Sequence, residues 1–332
     1  MKNLFEITSQ FEAYKDIPSS LQYGSVLDEN YLISIVMPVY KHPFFFRIAL
    51  KSAIDQDFDK PYEIIVVDDD DSEYNISPNF AVVKEANSNK VKYYKNSKNL
   101  GLCGNWNRCI QLAKGKYIVY CHDDEKLMPY ALTRLYRLSK ETNGKSAIFP
   151  NKNSEYIDGR IKLYPEKNKL FGVFPRKEMY KSSLPYFLDR TLGNGAGALL
   201  NKECLLELGG YDPDFYPCSD YVIDILYSYK FGAYRTNYAL VTSRQGDSLS
   251  FQVYHLFSDR MKEIRECIKS LIKAPDFLLQ LIIDAKYRTS KVAFDIVFGK
   301  KNISYSRETK FVDRVISKLY TYYIDLKKYK LL

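Results

Sequence analysis

Two apolar runs in this chain end in acid. In "YEIIVVDDDDS" the run closes on Asp68, Asp69, Asp70 and Asp71. In "YIVYCHDDEKLMP", Tyr117 to Pro129, it closes on His122, Asp123, Asp124 and Glu125. Neighbouring carboxylates repel one another unless solvent, a cation or a hydrogen-bonding ligand compensates them. One such cluster alone reads as a helix cap or a solvated loop. Two of them at the carboxyl ends of strands in one sheet point to a ligand, because open α/β sheets bind ligands at that edge. Hard carboxylate oxygens suit Mg²⁺ or Mn²⁺.

The elements that must carry these residues are legible as a rhythm. "LISIVMPVY" (32–40), "YEIIVVD", "VKYYKN", "KYIVYC" and "SAIFP" read as short buried strands. "PFFFRIALKSAIDQ", "GNWNRCIQLAKG" and "MPYALTRLYRLSKE" between them have apolar residues at helical spacing. Strands alternating with helices predict a mostly parallel α/β sheet flanked by helices. After Pro150 the pattern changes: a hairpin around Asp158-Gly159, a strand and helix in "GAGALLNKECLLELGG", and a helix in "SDYVIDILYSYKFG". That last helix puts Tyr221, Ile225, Leu226 and Tyr229 on one face. A strand in "AYRTNYALVTSR" and a helical remainder follow. The first 30 residues predict a short helix and an irregular lead-in.

Composition bounds the function classes. The chain has 332 residues, 46% hydrophobic and 27% charged, an ordinary globular profile with room for a large core. No run approaches the ~20 apolar residues of a membrane span. The start, "MKNLFEITSQFEAYKD", has no secretory character. The six cysteines show no C-x-x-C and read as reduced thiols of a cytoplasmic protein. Neither a G-x-G-x-x-G nor a P-loop sequence occurs, which disfavours dehydrogenases and NTPases. The formal charge is +9, and residues 251–332 hold 17 Lys+Arg against 9 Asp+Glu. A basic tail of this kind suits an anionic surface, nucleic acid or plain solubility.

The motifs "SIVMPVY", "IIVVDDDDS", "KNLGLCGNWNRCIQLAKGKYIVYCHDDEKLMP" and "LGGYDPDFYPCSDYVIDILYSYKFG" arrive in the order and spacing of family 2 glycosyltransferases, and the chain resembles that family over Leu32 to Ser250. The resemblance implies the GT-A fold, with a lead-in (1–30), a glycosyltransferase domain (31–250, its nucleotide-binding half 31–150 and acceptor half 151–250) and a basic helical C-terminal extension (251–332). It implies that Pro38, Val39, Tyr40, Asp68 and Asp69 hold the nucleoside of a sugar nucleotide. Asn99 and the helix start from Gly104 to Asn107 would line the same side of the cleft. The family's Asp-x-Asp falls on His122-Asp123-Asp124. Asp124 is then the metal ligand, a divalent Mn²⁺ or Mg²⁺ being the implied cofactor, and Asp123 a neighbour on the donor. "CSDY" aligns with the family's Glu-Asp pair, so Asp220 becomes the general base and Ser219 replaces the Glu. Gln245 stands where the family often has a metal-binding His. The bland alternative for Asp220 is a helix cap.

The implied reaction is an inverting transfer of a hexose-type sugar from a UDP-sugar to a hydroxyl of a polysaccharide or lipid-linked acceptor, without nucleic acid. The departures at His122, Ser219 and Gln245 keep open a non-catalytic partner that only binds the sugar nucleotide. A sugar nucleotidyltransferase stands further off, because "PVYKHPFFF" is not a Gly-rich, basic loop. In the extension, "KFVDRVISKLYTYYIDLKKYK" sets Phe311, Val315, Leu319, Val312, Ile316, Tyr320 and Tyr323 on one stripe, with most basic residues off it. Such a helix predicts either docking on the inner face of the membrane, making the protein peripheral there, or packing on the core or across a homo-oligomer.

Overall fold

A computed structural model describes residues 3–25, 30–72, 77–156, 158–164, 169–170, 174–175, 177–193, 195–245, 249–297 and 309–328. The strands are β1 (Ser19–Tyr23), β2 (Ile33–Val39), β3 (Tyr62–Asp68), β4 (Val91–Asn96), β5 (Tyr117–Tyr120), β6 (Glu125–Leu127), β7 (Ala147–Tyr156), β8 (Ile161–Lys162), β9 (Lys169–Leu170), β10 (Phe174–Pro175), β11 (Met179–Ser182), β12 (Leu199–Asn201) and β13 (Ala233–Gln245). The helices are α1 (Pro43–Ile54), α2 (Pro78–Ala86), α3 (Gly101–Leu112), α4 (Ala131–Ser139), α5 (Leu184–Asp189), α6 (Lys202–Glu207), α7 (Ser219–Phe231), α8 (Leu249–Lys269), α9 (Asp276–Val297) and α10 (Phe311–Lys328).

The main sheet runs β1-β4-β3-β2-β5-β12-β7-β13-β11. Its centre is parallel: β3 lies between β2 and β4, and β5 pairs β2 on the other side. Every residue of β2, β3, β4 and β5 is buried, which is why β2, β3 and β5 are mostly apolar and not alternating, while the buried Lys92 of β4 pairs with the buried Glu63 of β3. β12 enters antiparallel between β5 and β7. β7 and β13 then run parallel, and β6 adds to β13.

β7 continues well past the expected end at Pro150. Proline has no N–H for the ladder, and the β7–β13 register slips between Arg235 and Ala239, opposite that residue. A bulge there lets the strand run on through Lys152. The hairpin forms around Asp158-Gly159, pairing Ser154 with Lys162 and Glu155 with Ile161. On α7, Tyr221, Ile225 and Leu226 are buried as expected, but Tyr229 is exposed and meets Phe5 edge-on.

The lead-in is more ordered than its sequence suggests. A 3-10 turn, Glu12–Tyr14, precedes β1, which pairs antiparallel with β4 and so extends the sheet. The extension is also part of the body: Met261, Ile264 and Ile268 of α8, Leu279, Ile282 and Ile283 of α9, and Tyr320 and Ile324 of α10 share one core with α5 and α7. The single stripe expected on α10 is divided. Ile316, Tyr320 and Tyr323 pack inward, whereas Phe311, Val312, Val315 and Leu319 face out together with Tyr322. The inward face also carries polar partners. Arg288 of α9 donates to both oxygens of Asp313 at 2.7 Å, and Thr321 donates to Asp189 at 2.8 Å. Those bonds fix the helix's rotation and leave half of its apolar residues outside.

Candidate active site

The carboxyl ends of β2, β3 and β5 meet at one edge. Pro38 and Val39 are buried in β2, and the Val39 carbonyl accepts the Asp69 N–H at 3.1 Å. Tyr40, just beyond, is exposed, and its N–H donates to Asp123 Oδ2 at 3.3 Å, which ties the first strand end to the third.

Asp68 is fully buried and already engaged. One oxygen accepts from Ser77 Oγ (2.7 Å) and Tyr93 Oη (2.5 Å), the other from the Asp70 N–H (2.9 Å). It braces the strand end. Asp69 is the organiser of the next loop: Oδ1 accepts from Asn96 Nδ2 (2.8 Å) and the Leu100 N–H (2.7 Å), while its carbonyl accepts from Asn99 Nδ2 (2.9 Å). Burial still raises the Asp69 pKa, with those hydrogen bonds pulling against it.

Two residues expected to line the cleft have other occupations. Asn107 is 1% exposed; its amide donates to the Tyr211 carbonyl (2.8 Å) and accepts the Tyr211 N–H (2.7 Å), so it clamps a distant loop. At Gly104 a Cβ would fall 2.9 Å from the Tyr14 ring, so the missing side chain makes room for the lead-in.

The second acidic group folds around Glu125. That residue is buried, accepts from His122 Nδ1 at 3.1 Å and from Lys152 Nζ at 3.2 Å. Burial alone would raise its pKa; Lys152 and His122 overcome this and hold it down to about 2. His122 is itself raised: burial works against its charge, and Glu125 outweighs burial. Its ring stacks on Trp106 at 5.5 Å. His122 is therefore turned toward protein partners.

Asp123 and Asp124 are left under-compensated. Burial, then repulsion from Asp124, pushes Asp123 up to about 7. Burial, then Glu125, raises Asp124. Among the described residues Asp124 has no side-chain hydrogen bond or ion pair, and no group of three or more His, Cys, Asp or Glu encloses a metal position. One hard carboxylate fits a Mg²⁺ or Mn²⁺ whose other ligands are diphosphate oxygens and water. It does not fit a cage made by protein alone. Gln245 is exposed at the end of β13, paired in register with Tyr156.

Asp220 lies in the first turn of α7, where it accepts the Tyr221 N–H at 2.8 Å. Ser219 donates to the Asp212 carbonyl at 2.7 Å. Burial raises the Asp220 pKa, and the charges of His122 and Lys152 act to lower it. The fold thus brings Asp220 within reach of His122, whose charge also acts on Asp123 and Asp124, from a point about a hundred residues further along the chain.

Sequence reasoning missed two members of this cluster. Lys152 faces Glu125 from β7, and its charge reaches Asp124, Asp220 and Asp224. Asp224 is 2% exposed, one turn after Asp220, and its Oδ2 has no partner. The signal for Asp224 was present: an acid at i+4 from Asp220, inside an apolar helix. The Gly197 N–H donates to the Tyr120 carbonyl at 2.7 Å, and Gly193 lies beside Lys152.

Comparison with known proteins names the class. Residues 34–195 match the family described as glycosyl transferase family 2, and the chain carries a domain of that family. A GalNAc(5)-diNAcBac-PP-undecaprenol beta-1,3-glucosyltransferase of Campylobacter jejuni is 27% identical over 187 residues, 55% of this chain and 56% of that protein. A poly(ribitol-phosphate) beta-glucosyltransferase of Bacillus spizizenii is 36% identical over 167 residues, covering 46% of this chain and 25% of its own length. An uncharacterized glycosyltransferase of Haemophilus influenzae is 21% identical over 299 residues, 90% of each. Several of the curated relatives are matched over only three fifths or so of their length, as the 56% for the Campylobacter protein shows. The crystal structure of S. aureus TarS 1-349 in complex with UDP-GlcNAc shares the fold, with a TM-score of 0.56 and 14% identity over 87% of this chain and 79% of that one. The mixed sheet with flanking helices is therefore the GT-A architecture.

Proposed function

We propose that this chain is an inverting glycosyltransferase. In this reading it moves a hexose-type sugar from a nucleoside diphosphate, UDP by preference, to a hydroxyl of a saccharide on a polymer or lipid carrier. The supporting observation is that Asp123, Asp124 and Asp220 all lie within reach of His122 with their pKa values raised by burial. Groups perturbed by burial and mutual repulsion mark functional sites. The curated relatives named as glucosyltransferases, and the UDP-GlcNAc complex of the structural neighbour, favour the donor class.

In this reading Tyr40, Asp69 and Asn99 bound the nucleoside side, and Asp124 would hold a divalent ion against the diphosphate. Such an ion supplies charge neutralisation of the leaving group. Asp220 takes the proton of the acceptor hydroxyl as that oxygen attacks the anomeric carbon; the nucleoside diphosphate leaves with the electron pair of the broken bond. One displacement inverts the centre. A carboxyl whose pKa is raised by burial is the stronger base for this step. The charges of His122 and Lys152 oppose that rise and favour its ionised form.

Asp220→Asn tests the chemistry, since Asn keeps the volume and the helix-end hydrogen bond. Transfer should fall by roughly a hundredfold to ten-thousandfold with UDP affinity intact. Normal transfer by the variant would remove Asp220 from the mechanism, and nucleotide binding without transfer by the wild type would favour the non-catalytic partner.

The outward face of α10 supports a peripheral location at the inner face of the membrane. Phe311, Val315, Leu319 and Tyr322 form an exposed stripe with Lys318 and Lys327 exposed at its edges. Among the described residues no helix is long and apolar enough to cross a bilayer. Binding to vesicles containing anionic lipid should be lost in a Leu319→Glu, Tyr322→Glu variant. Equal binding by both proteins would sink this location, and a shift from dimer to monomer would assign the stripe to a second copy.

A further inference from the structure

The family match begins at residue 34, yet the segment before it is built into the site. Three glycines receive it. A Cβ at Gly104 would lie 2.9 Å from Tyr14 Cζ, one at Gly209 would lie 2.6 Å from the Thr8 carbonyl oxygen, and one at Gly210 would lie 2.9 Å from Phe11 Cζ. None of those separations leaves room for a side chain, so the bare backbones form a seat for residues 8–14. Hydrogen bonds hold the segment there. The Gln10 N–H donates to the Gly209 carbonyl at 2.8 Å. The nearly buried Arg108 guanidinium of α3 donates to the carbonyls of Tyr14 (2.9 Å) and Ile17 (2.8 Å) and to Ser19 Oγ (2.6 Å).

The seat spans the two halves of the cleft. Gly104 lies in the first turn of α3, directly after the Asn99–Leu100 corner that Asp69 organises. Gly209 and Gly210 lead into the loop from Tyr211 to Asp220. The atom of Tyr14 wedged against Gly104 is Cζ, the ring carbon that bears the hydroxyl, so Oη lies one bond beyond the contact. Burial, followed by the charges of Cys103, Asp69 and Asp212, raises the pKa of that phenol, which places it facing groups from both halves. Its hydroxyl makes no hydrogen bond among the described residues.

We propose that Tyr14 belongs to the donor site: its ring closes the cleft beside Asp69, and its hydroxyl hydrogen-bonds the bound nucleoside. This rests on the sugar-nucleotide reading and adds to it a residue that the family match does not cover. Gly104 then acts indirectly, by giving the ring its place.

A purely structural Tyr14 would need only its ring, and Tyr14→Phe keeps the ring while removing the hydroxyl. In calorimetry the Phe variant should bind UDP and uridine about fivefold more weakly than the wild type, the worth of one hydrogen bond. Its melting temperature should be unchanged. Tyr14→Ala should lose more affinity and also melt lower, because the slot at Gly104 is emptied. Wild-type affinity for UDP in the Phe variant would overturn the proposal and leave the donor site standing. Failure of the wild type to bind UDP or uridine would sink both together.

Discussion

At the junction of α5, α9 and α10, Asp189 is buried to 3% side-chain exposure and its oxygens are matched: Lys286 and Thr321 on one, Arg190 at 2.5 Å on the other. Burial pushes its pKa up, but Lys286 and Arg190 more than reverse that, and the carboxyl sits below its ordinary range. In the cleft, Asp123, Asp124, Asp220 and Asp224 are raised, and burial is the largest cause for each. Among the described residues the cations acting on these acids include Lys152, His122 and, at Asp224, Arg235, and Glu125 takes the first two as direct partners. The same residue type is thus satisfied by protein at one place and left short at the other. A buried acid matched within the chain holds elements together. An acid left short is costly to the fold, and the compensation it lacks is what a cation, a diphosphate or an acceptor proton supplies.

The contrast can be broken at either end. Lys286→Met removes the main partner of Asp189 and should destabilise the protein by about 3 kcal/mol, the lower end for a broken buried pair because Arg190 and Thr321 remain. Denaturant unfolding measures it, and a loss under ~1 kcal/mol would show that the junction is not held by this ion pair. Asp224→Asn should act in the opposite direction and by less, stabilising by roughly 1 kcal/mol near neutral pH. The sign follows from proton linkage. A carboxyl raised in the fold binds its proton more tightly there than in the unfolded chain, so native stability falls as pH rises from the unfolded pKa toward the folded one. The gain should therefore vanish below about pH 4, where both states are protonated. A destabilised Asn variant at neutral pH would mean that Asp224 has an ionic partner in the fold.

Much of this site was legible, and the illegible parts have physical reasons. β2, β3 and β5 announced themselves because a strand buried on both faces is mostly apolar, and the acids that close β3 and follow β5 break that pattern. Asp220 was legible through motif spacing. Lys152 was hidden because Pro150 reads as a strand end, and only a bulge in the partner strand β13, far off in sequence, lets β7 continue. The resemblance put Asn107 and Gly104 on the nucleotide side of the cleft; the Asn107 clamp on the Tyr211 loop and the seating of the lead-in at Gly104 are contacts that no local pattern encodes. The division of the α10 stripe has the same origin, since its rotation is set by Arg288 and Asp189 on other helices.

The account rests most directly on Asp124 as the carboxylate that makes nucleotide binding depend on a divalent ion. Titration calorimetry of UDP with and without Mn²⁺, on wild type and Asp124→Ala, reads this in one experiment. We predict that Mn²⁺ tightens UDP binding to the wild type by about tenfold or more and leaves the variant at the metal-free affinity. Equal affinities with and without Mn²⁺ in both proteins would contradict the account and make the acidic cluster something other than a cation site.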